Sequence, residues 1–227
     1  MDETVKGWKL GKDGFVMEYM VAGPALEEFQ TELRDEDQLR LEGRLRKEIS
    51  EEREKQWETE IRLGEKAPNG CPWQVYAPYG NGMIDVSDFY STLQKIRILA
   101  AAEIIAPEEM KVPARVWTYM SVGIYVNGEL AGKVAYPDYK PIQYCDLTLS
   151  LKKGRNQILF ICDNLGARDT RNILGLQILE RQEELRTGLA DISCEEQTRE
   201  MKEFLDGLTL EESLVKFPGK APKGACY

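Results

Sequence analysis

A two-residue repeat of apolar side chains runs through residues 115–179, and it limits what the chain can fold into more than any other feature. Its clearest landmark is the dipeptide Asn127-Gly128, which accepts the positive φ angles of a tight hairpin turn. The run before the turn, 115–126, alternates aromatic and β-branched residues, and the run after it covers 129–136. We therefore predict two antiparallel strands joined at this turn.

Three further strands are predicted downstream of the hairpin. Residues 146–151 carry a leucine at every second position, which indicates a half-buried strand. Residues 157–162 form a continuous apolar run that suits an inner strand, and 173–179 closes the set. Successive strands joined by short turns are typical of an antiparallel β-sandwich.

The first half of the chain adds three more candidate strands. Residues 15–22 end at a Gly-Pro stop, and 83–90 follow a loop rich in glycine, proline and aromatics. Residues 93–106 place isoleucines and alanines at every second position. A helix would also fit that composition, but the spacing and the flanking strands favour a central strand.

Several short motifs in residues 125–164 resemble a known family when they are taken in order. They are Tyr125–Glu129, Gly132, Tyr139–Ile142, Asp146–Thr148, Lys153–Asn156 and Asp163–Asn164. Together they resemble the galactose-binding-like jelly-roll domain at the N-terminus of β-galactosidase- and β-glucuronidase-type glycoside hydrolases. The resemblance implies a mainly β, antiparallel jelly-roll sandwich of about eight strands. It also implies an accessory domain, because in that family the active site lies elsewhere.

Two segments break the strand pattern and are predicted to be helical. The first is an insertion at about 25–60, where Leu41, Leu45 and Ile49 recur every fourth residue among paired opposite charges. The second covers 195–205.

The chain is accordingly divided into two predicted parts. Residues 1–186 form the galactose-binding-like sandwich with its helical insertion, and 187–227 form a helical extension and linker toward a further domain. In the extension, Ser193 and Glu196 have the spacing of a capping box.

Composition excludes several classes of function. The chain has no histidine, which rules out Ser-His-Asp and Cys-His catalysis and His-ligated metals within these 227 residues. A net charge of −9 without a basic stripe disfavours nucleic acid, and no apolar window is long enough for a membrane span. Five scattered cysteines and the lack of a visible secretion signal favour a reduced, cytoplasmic chain.

Two groups of side chains are candidates for carbohydrate binding. One is aromatic, because sugar rings stack on aromatic faces, and the other is the polar stretch 163–172, read as a loop whose acids, amides and arginines suit sugar hydroxyls. The candidates are Trp73, Tyr76, Tyr79, Trp117, Tyr119, Asp163, Asn164, Arg168, Asp169 and Arg171.

Each group also has a purely structural interpretation. The aromatics, Trp117 above all, would be core residues if their sheet face is the inner one. The polar stretch would be a network of ion pairs that braces a loop. Asp163 with Asp169 could instead coordinate calcium, but the spacing is not that of an EF-hand loop, and we predict no metal, cofactor or catalytic residue.

The sequence thus favours a non-catalytic, carbohydrate-binding-type accessory module, the N-terminal part of a glycoside-hydrolase-like protein. One alternative is a protein-interaction or assembly sandwich that binds no sugar. A small glycosidase that uses two carboxylates is a further alternative. The expected partners are an oligosaccharide and a following catalytic domain or another subunit, with neither nucleic acid nor membrane.

Overall fold

The main body of the described chain folds into two antiparallel β-sheets that share one apolar core. The structure, a computed structural model, describes residues 7–28, 49, 54–78, 80–191, 199, 203, 209–211 and 214–216. The strands are β1 (Tyr19–Glu28), β2 (Gln74–Tyr76), β3 (Met83–Asp85), β4 (Asp88–Ala106), β5 (Met110–Thr118), β6 (Ser121–Val126), β7 (Glu129–Val134), β8 (Gln143–Leu151), β9 (Gly154–Thr170), β10 (Ile173–Ile178), β11 (Arg186–Gly188), β12 (Thr209–Glu211) and β13 (Leu214–Lys216). The mainly β, two-sheet architecture predicted from the sequence is confirmed.

The larger sheet is built around its two longest strands, β4 and β9. Its order is β2-β1-β4-β9-β6-β7, and β11 adds to one end of β4. The predicted central strand at 93–106 is therefore confirmed and the helical alternative is wrong. Alanines in the middle of β4 are buried, and they let other side chains pack closely over the centre of the sheet.

The smaller sheet has the order β3-β10-β5-β8. The leucine repeat in β8 has the predicted orientation, since Leu149 and Leu151 are buried in the core while Thr148 and Ser150 are exposed. Along β5 the same alternation buries every second residue and leaves the others on the outer face of the sheet. That outer face is where the candidate site is built.

The predicted hairpin at Asn127-Gly128 is confirmed, with φ of 50° and 87° at the two turn positions. The single strand predicted for 115–126 is wrong, because it is two strands in different sheets. β5 belongs to the smaller sheet, and the chain then crosses at 119–120 to enter the larger sheet as β6. Every residue of β6 is buried, so no change of period marks the crossing.

A second correction concerns the polar stretch 163–172, which was predicted to be a loop. The strand β9 continues through it to Thr170, pairing with β4 along this length except at a bulge near Tyr90. Polar residues are tolerated within this strand because the neighbouring strand supplies partners for them, as Arg97 does for Asp163.

A further layer covers the outer face of the larger sheet. Residues of 54–78 lie over this face and form a second apolar cluster, which contains Ile61, Trp73 and Val75 as well as Tyr125 and Leu159 of the sheet. The strand β6 and the middle parts of β4 and β9 are consequently buried on both faces, as expected for strand segments without a polar side.

The helical insertion predicted for 25–60 does not have those bounds. Residues 25–28 continue β1, and the described residues 54–60 are not helical. Leu41 and Leu45 lie outside the described residues. The backbone at Ile49 is helical and its side chain is buried, but one position defines no helix.

The C-terminal part is described only in pieces. Of the helix predicted for 195–205, only Arg199 and Glu203 are described, both with helical backbone, and Ser193 and Glu196 are not. The strand β11 pairs with β4, so the sandwich continues to Gly188, and β12 pairs with β13 further on. Within the described part of the chain, no helix has the length and apolar character needed to cross a bilayer.

Candidate functional site

The outer face of the smaller sheet carries a group of five side chains that we call the aromatic face. It consists of Arg115 and Trp117 from β5, Tyr144 and Asp146 from β8, and Gln177 from β10. The strand register creates this group, because Arg115 pairs with both Asp146 and Gln177 across neighbouring strands and Trp117 pairs with Tyr144.

The two rings of the aromatic face lie close together and share one guanidinium group. The ring centroids of Trp117 and Tyr144 are 5.4 Å apart with an interplanar angle of 53°. The Arg115 guanidinium lies 5.2 Å from the Trp117 ring and 4.3 Å from the Tyr144 ring. The side chain of Tyr144 is 54% exposed, so part of this surface is open to solvent.

Hydrogen bonds fix the polar members of the aromatic face. Arg115 donates from Nε and Nη2 to the two carboxylate oxygens of Asp146, at 2.6 and 2.8 Å. This bidentate pair lowers the pKa of Asp146 and raises that of Arg115, so both stay charged over a wide pH range. Trp117 Nε1 donates to Gln177 Oε1 at 3.0 Å, which holds the indole in place.

A second group lies at the end of β5 and is called the loop cluster. It comprises Tyr119, Tyr139, Asp169 and Arg171. Arg171 donates from Nη1 to the Tyr119 hydroxyl at 3.2 Å, and its guanidinium lies 5.4 and 5.7 Å from the Tyr119 and Tyr139 rings. Tyr139 donates its hydroxyl hydrogen to Asp169 at 3.4 Å, and Asp138 N donates to Tyr119 O to hold the loop against β5.

The structure therefore brings three predicted residues, Tyr119, Asp169 and Arg171, together in the loop cluster. The fourth, Trp117, lies on the outer face of β5, two positions before Tyr119. Neither ring is part of the core, which was the alternative that the sequence left open.

The other aromatic candidates have different positions. Trp73 is completely buried in the second apolar cluster, so neither face of its ring is accessible to a sugar. Tyr76 is half-buried, and its hydroxyl donates to Asp85 O and accepts from Asp85 N, which ties β2 to β3. Tyr79 lies outside the described residues.

Two polar candidates serve the interior of the sandwich. Asp163 is completely buried and accepts hydrogen bonds from Arg97 Nε and Nη2 at 2.7 and 3.3 Å. Asn164 is buried as well, and donates to Arg171 O and Asn172 Oδ1. These contacts match the bracing interpretation of the polar stretch.

The remaining polar candidate, Arg168, is exposed and has a φ of 55° at the bulged end of β9. Calcium binding by Asp163 with Asp169 does not fit the structure, because six residues of strand place them roughly 20 Å apart. Among the described residues, no group of three or more acids and cysteines has the geometry to hold a metal ion.

Five members of the aromatic face and the loop cluster are not among the ten candidates predicted from the sequence: Arg115, Tyr139, Tyr144, Asp146 and Gln177. The sequence does contain one indication of the aromatic face. Arg115 and Trp117 are two residues apart, and so are Tyr144 and Asp146. That spacing places each pair on one face of its strand. Only the register of β5 with β8 shows that the two pairs lie side by side.

Neither the comparison with protein-family models nor the comparison with curated proteins gives a match. Among solved structures, the chain is similar to a family 35 carbohydrate-binding module from an environmental isolate, with 13% identity over 60% of this chain and 92% of that one and a TM-score of 0.33. A family 35 carbohydrate-binding module from Clostridium thermocellum has 13% identity over 42% of this chain and 91% of that one, with a TM-score of 0.29.

A β-glucosidase from Kluyveromyces marxianus is also similar, with 11% identity over 88% of this chain and a TM-score of 0.33. This chain covers 21% of the length of that enzyme. At these identities and TM-scores, the likenesses define neither a binding surface nor an activity for this chain.

Proposed function

We propose that this chain is a non-catalytic, carbohydrate-binding-type module that binds an oligosaccharide on the aromatic face. The observation that supports this most strongly is the pair of adjacent rings, Trp117 and Tyr144, on an outer sheet surface with charged and amide groups beside them. Sugars present apolar C–H surfaces and hydroxyl groups together, so they suit a surface of this mixed kind.

The fixed geometry of the polar groups also supports sugar binding. Arg115 and Asp146 hold each other in a planar, two-bonded pair, and Gln177 is held by Trp117. Groups that are already ordered lose little conformational freedom when a ligand binds. The loop cluster continues the same side of the molecule and would extend the surface by one further sugar unit.

The accessory role is a separate part of the proposal. It rests on the resemblance of residues 125–164 to the non-catalytic domain of glycoside hydrolases, in which such a domain accompanies a catalytic one. Two acids of the central strands that a carboxylate glycosidase could use, Glu103 and Asp163, form ion pairs with Arg155 and Arg97.

Isothermal titration calorimetry tests the binding proposal. The titrants are cello-, xylo-, manno- and galacto-oligosaccharides of six units, used up to millimolar concentration. We expect at least one series to bind, and Tyr144→Ala to weaken that binding about ten-fold, which corresponds to about 1.4 kcal/mol. Trp117→Ala should have a larger effect, since it removes the ring that Tyr144 packs against.

Leu26→Ala is the matched control, because Leu26 is an apolar residue with 52% exposure in β1, outside the aromatic face and the loop cluster. Equal losses in Tyr144→Ala and Leu26→Ala would mean general surface adhesion and would contradict the proposal. Absence of binding in every series would also contradict it. A stable oligomer in sedimentation without sugar binding would favour the assembly alternative.

A further inference from the structure

A second concave surface lies at the other end of the sandwich, where the edges of the two sheets separate. It is a cleft of about 550 Å³ between β7 and β8, closed at one end by the start of β5, and is called the edge cleft. This volume is within the range of about 300–1,000 Å³ that is usual for small-ligand sites. Its polar lining comprises Glu109, Lys111, Glu129, Thr148, Ser150 and Lys152.

The edge cleft is formed by a local change in the distance between the two edge strands. At Gly132 the strands are in contact, since a Cβ on this residue would lie only 3.2 Å from Cys145 Sγ. Toward the Asn127-Gly128 turn the strands diverge and the cleft opens, with Val126 and Leu151 contributing apolar surface to it. The edge cleft therefore lies where β7 and β8 separate.

The rim of the edge cleft is held by a buried side chain. Asn156 is completely buried, and its Oδ1 accepts hydrogen bonds from Lys152 N at 2.8 Å and from Asn127 Nδ2 at 2.9 Å. Its Nδ2 donates to Lys152 O at 2.8 Å and to Gly154 O at 3.0 Å. These bonds join the two turns that flank the cleft, so its shape is set before any ligand arrives.

The charged side chains that line the edge cleft carry equal numbers of positive and negative charges, and they are free to bind a ligand. Two carboxylates, Glu109 and Glu129, lie with two ammonium groups, Lys111 and Lys152, and within the described part of the chain none of these four side chains makes a hydrogen bond or ion pair. A lining of balanced sign attracts neither anions nor cations strongly. It does suit hydroxyl groups, because each hydroxyl can donate to a carboxylate and accept from an ammonium group.

We infer that the edge cleft is a second carbohydrate site, which takes one or two neutral, polyhydroxylated rings through hydrogen bonds. This inference rests on the proposed function. Along β5, Lys111 lies six residues from Trp117, roughly 20 Å away, whereas along β8 Thr148 of the cleft lies two residues from Asp146, roughly 7 Å away, so the cleft adjoins the aromatic face. The module is thus bivalent, and it holds two polysaccharide chains or two segments of one chain.

Binding stoichiometry tests the inference directly. Calorimetry with whichever six-unit oligosaccharide binds the wild-type chain should give two sites per molecule, and Tyr144→Ala should weaken only one of them, by about ten-fold. Lys111→Ala with Glu129→Gln should weaken the other site at least about five-fold, which corresponds to about 1 kcal/mol. Both residues are exposed, so these changes leave the core intact.

Lys133→Ala is the control, since Lys133 is an exposed lysine of β7 outside the cleft lining, and it should change neither site. In two-dimensional amide NMR, the second binding event should shift Ser150 and Glu129 while leaving Tyr144 unchanged. The wild-type chain should also make a soluble polysaccharide of the same sugar turbid, and the cleft variant should not.

The possible results separate the two proposals. One site per molecule, weakened in Tyr144→Ala and unaffected by the cleft variant, overturns this inference and leaves the proposed function standing. One site that responds only to the cleft variant overturns the aromatic face and supports the cleft. If no oligosaccharide binds, both proposals fail.

Discussion

The side-chain amide of Asn127 donates from Nδ2 to Oδ1 of Asn156 at 2.9 Å, and this bond joins the β6–β7 turn to the turn that begins β9. Asn127 also accepts from Gln157 N at 3.1 Å. Both asparagines belong to the motifs by which residues 125–164 resemble the galactose-binding-like domain. In this structure their role is to connect turns, which makes them determinants of the fold.

Asn156→Ala should destabilise the protein substantially. The substitution removes five hydrogen bonds of a completely buried amide and leaves backbone groups of Lys152 and Gly154 without this partner. Since an unsatisfied buried polar group costs about 1–3 kcal/mol, we expect the free energy of unfolding to fall by about 3 kcal/mol or more. Urea denaturation measures this, with the exposed Lys153→Ala as control; a loss below about 1 kcal/mol would contradict the bracing role.

Arg97→Met should be destabilising because it leaves a buried carboxylate without its guanidinium partner. Asp163 is completely buried, whereas Arg97 is 38% exposed. Removing one member of such a pair costs about 3–5 kcal/mol, and replacing both by apolar residues is often close to neutral. We therefore expect the double variant Arg97→Met, Asp163→Leu to recover most of the loss in chemical denaturation. A double variant that is less stable than Arg97→Met would show that the charge of Asp163 is not the cause.

Stability should depend on pH through Glu18. Burial raises the pKa of this carboxyl above its ordinary value of 4.5, and the hydrogen bond from Thr187 at 2.6 Å opposes the shift. Because the pKa of Glu18 is higher in the folded than in the unfolded protein, the carboxyl is protonated in both states below about pH 4.5 and does not lower the stability there. As pH rises through the folded-state pKa, Glu18 increasingly lowers the free energy of unfolding. Glu18→Gln should therefore be more stable than the wild-type protein at pH 7 and equal to it at pH 4.

Urea denaturation at the two pH values measures this difference, with Glu27→Gln as control, since Glu27 is exposed near the end of β1. A Glu18→Gln variant that gains nothing between pH 4 and pH 7 would contradict the assigned cause.

Asp146→Ala should weaken sugar binding while leaving the fold intact. The change frees the Arg115 guanidinium from its fixed position beside the two rings. We expect affinity for the oligosaccharide to fall about three- to five-fold, and the unfolding free energy to change little, as is usual for exposed ion pairs. Glu184→Ala is the matched control, because it breaks a similar exposed pair with Arg181. Equal effects of the two changes on affinity would remove Asp146 from the site.

The parts of the fold that could be predicted are those in which one face of a strand is apolar and the other polar. The leucines of β8 and the Asn127-Gly128 turn are local signals, and both are confirmed. The crossing at 119–120 carries no such signal. The strand β6 that follows it is buried at every position, because one face meets the other sheet and the opposite face lies under the 54–78 layer.

The candidate site was only partly predictable for a related reason. Trp117 and Tyr119 were identified by their residue type, but the choice between core and surface depended on which face of β5 meets the other sheet. Trp73 shows the reverse, since a glycine- and proline-rich neighbourhood indicated a surface loop, and the loop packs on the larger sheet and buries the ring. Pairings such as Arg97 with Asp163 join positions 66 residues apart, and no local sequence pattern predicts them.

Because the 54–78 layer occupies the outer side of the larger sheet, the aromatic face, on the outer side of the smaller sheet, lies on the opposite side of the sandwich. Attachment to a solid support is therefore best made through the layer itself. A single coupling group other than a thiol, introduced at Glu65, which is exposed within the layer, would orient the immobilised molecules with Tyr144 directed toward the solution; a thiol is unsuitable because Cys71 and Cys145 are partly exposed free cysteines.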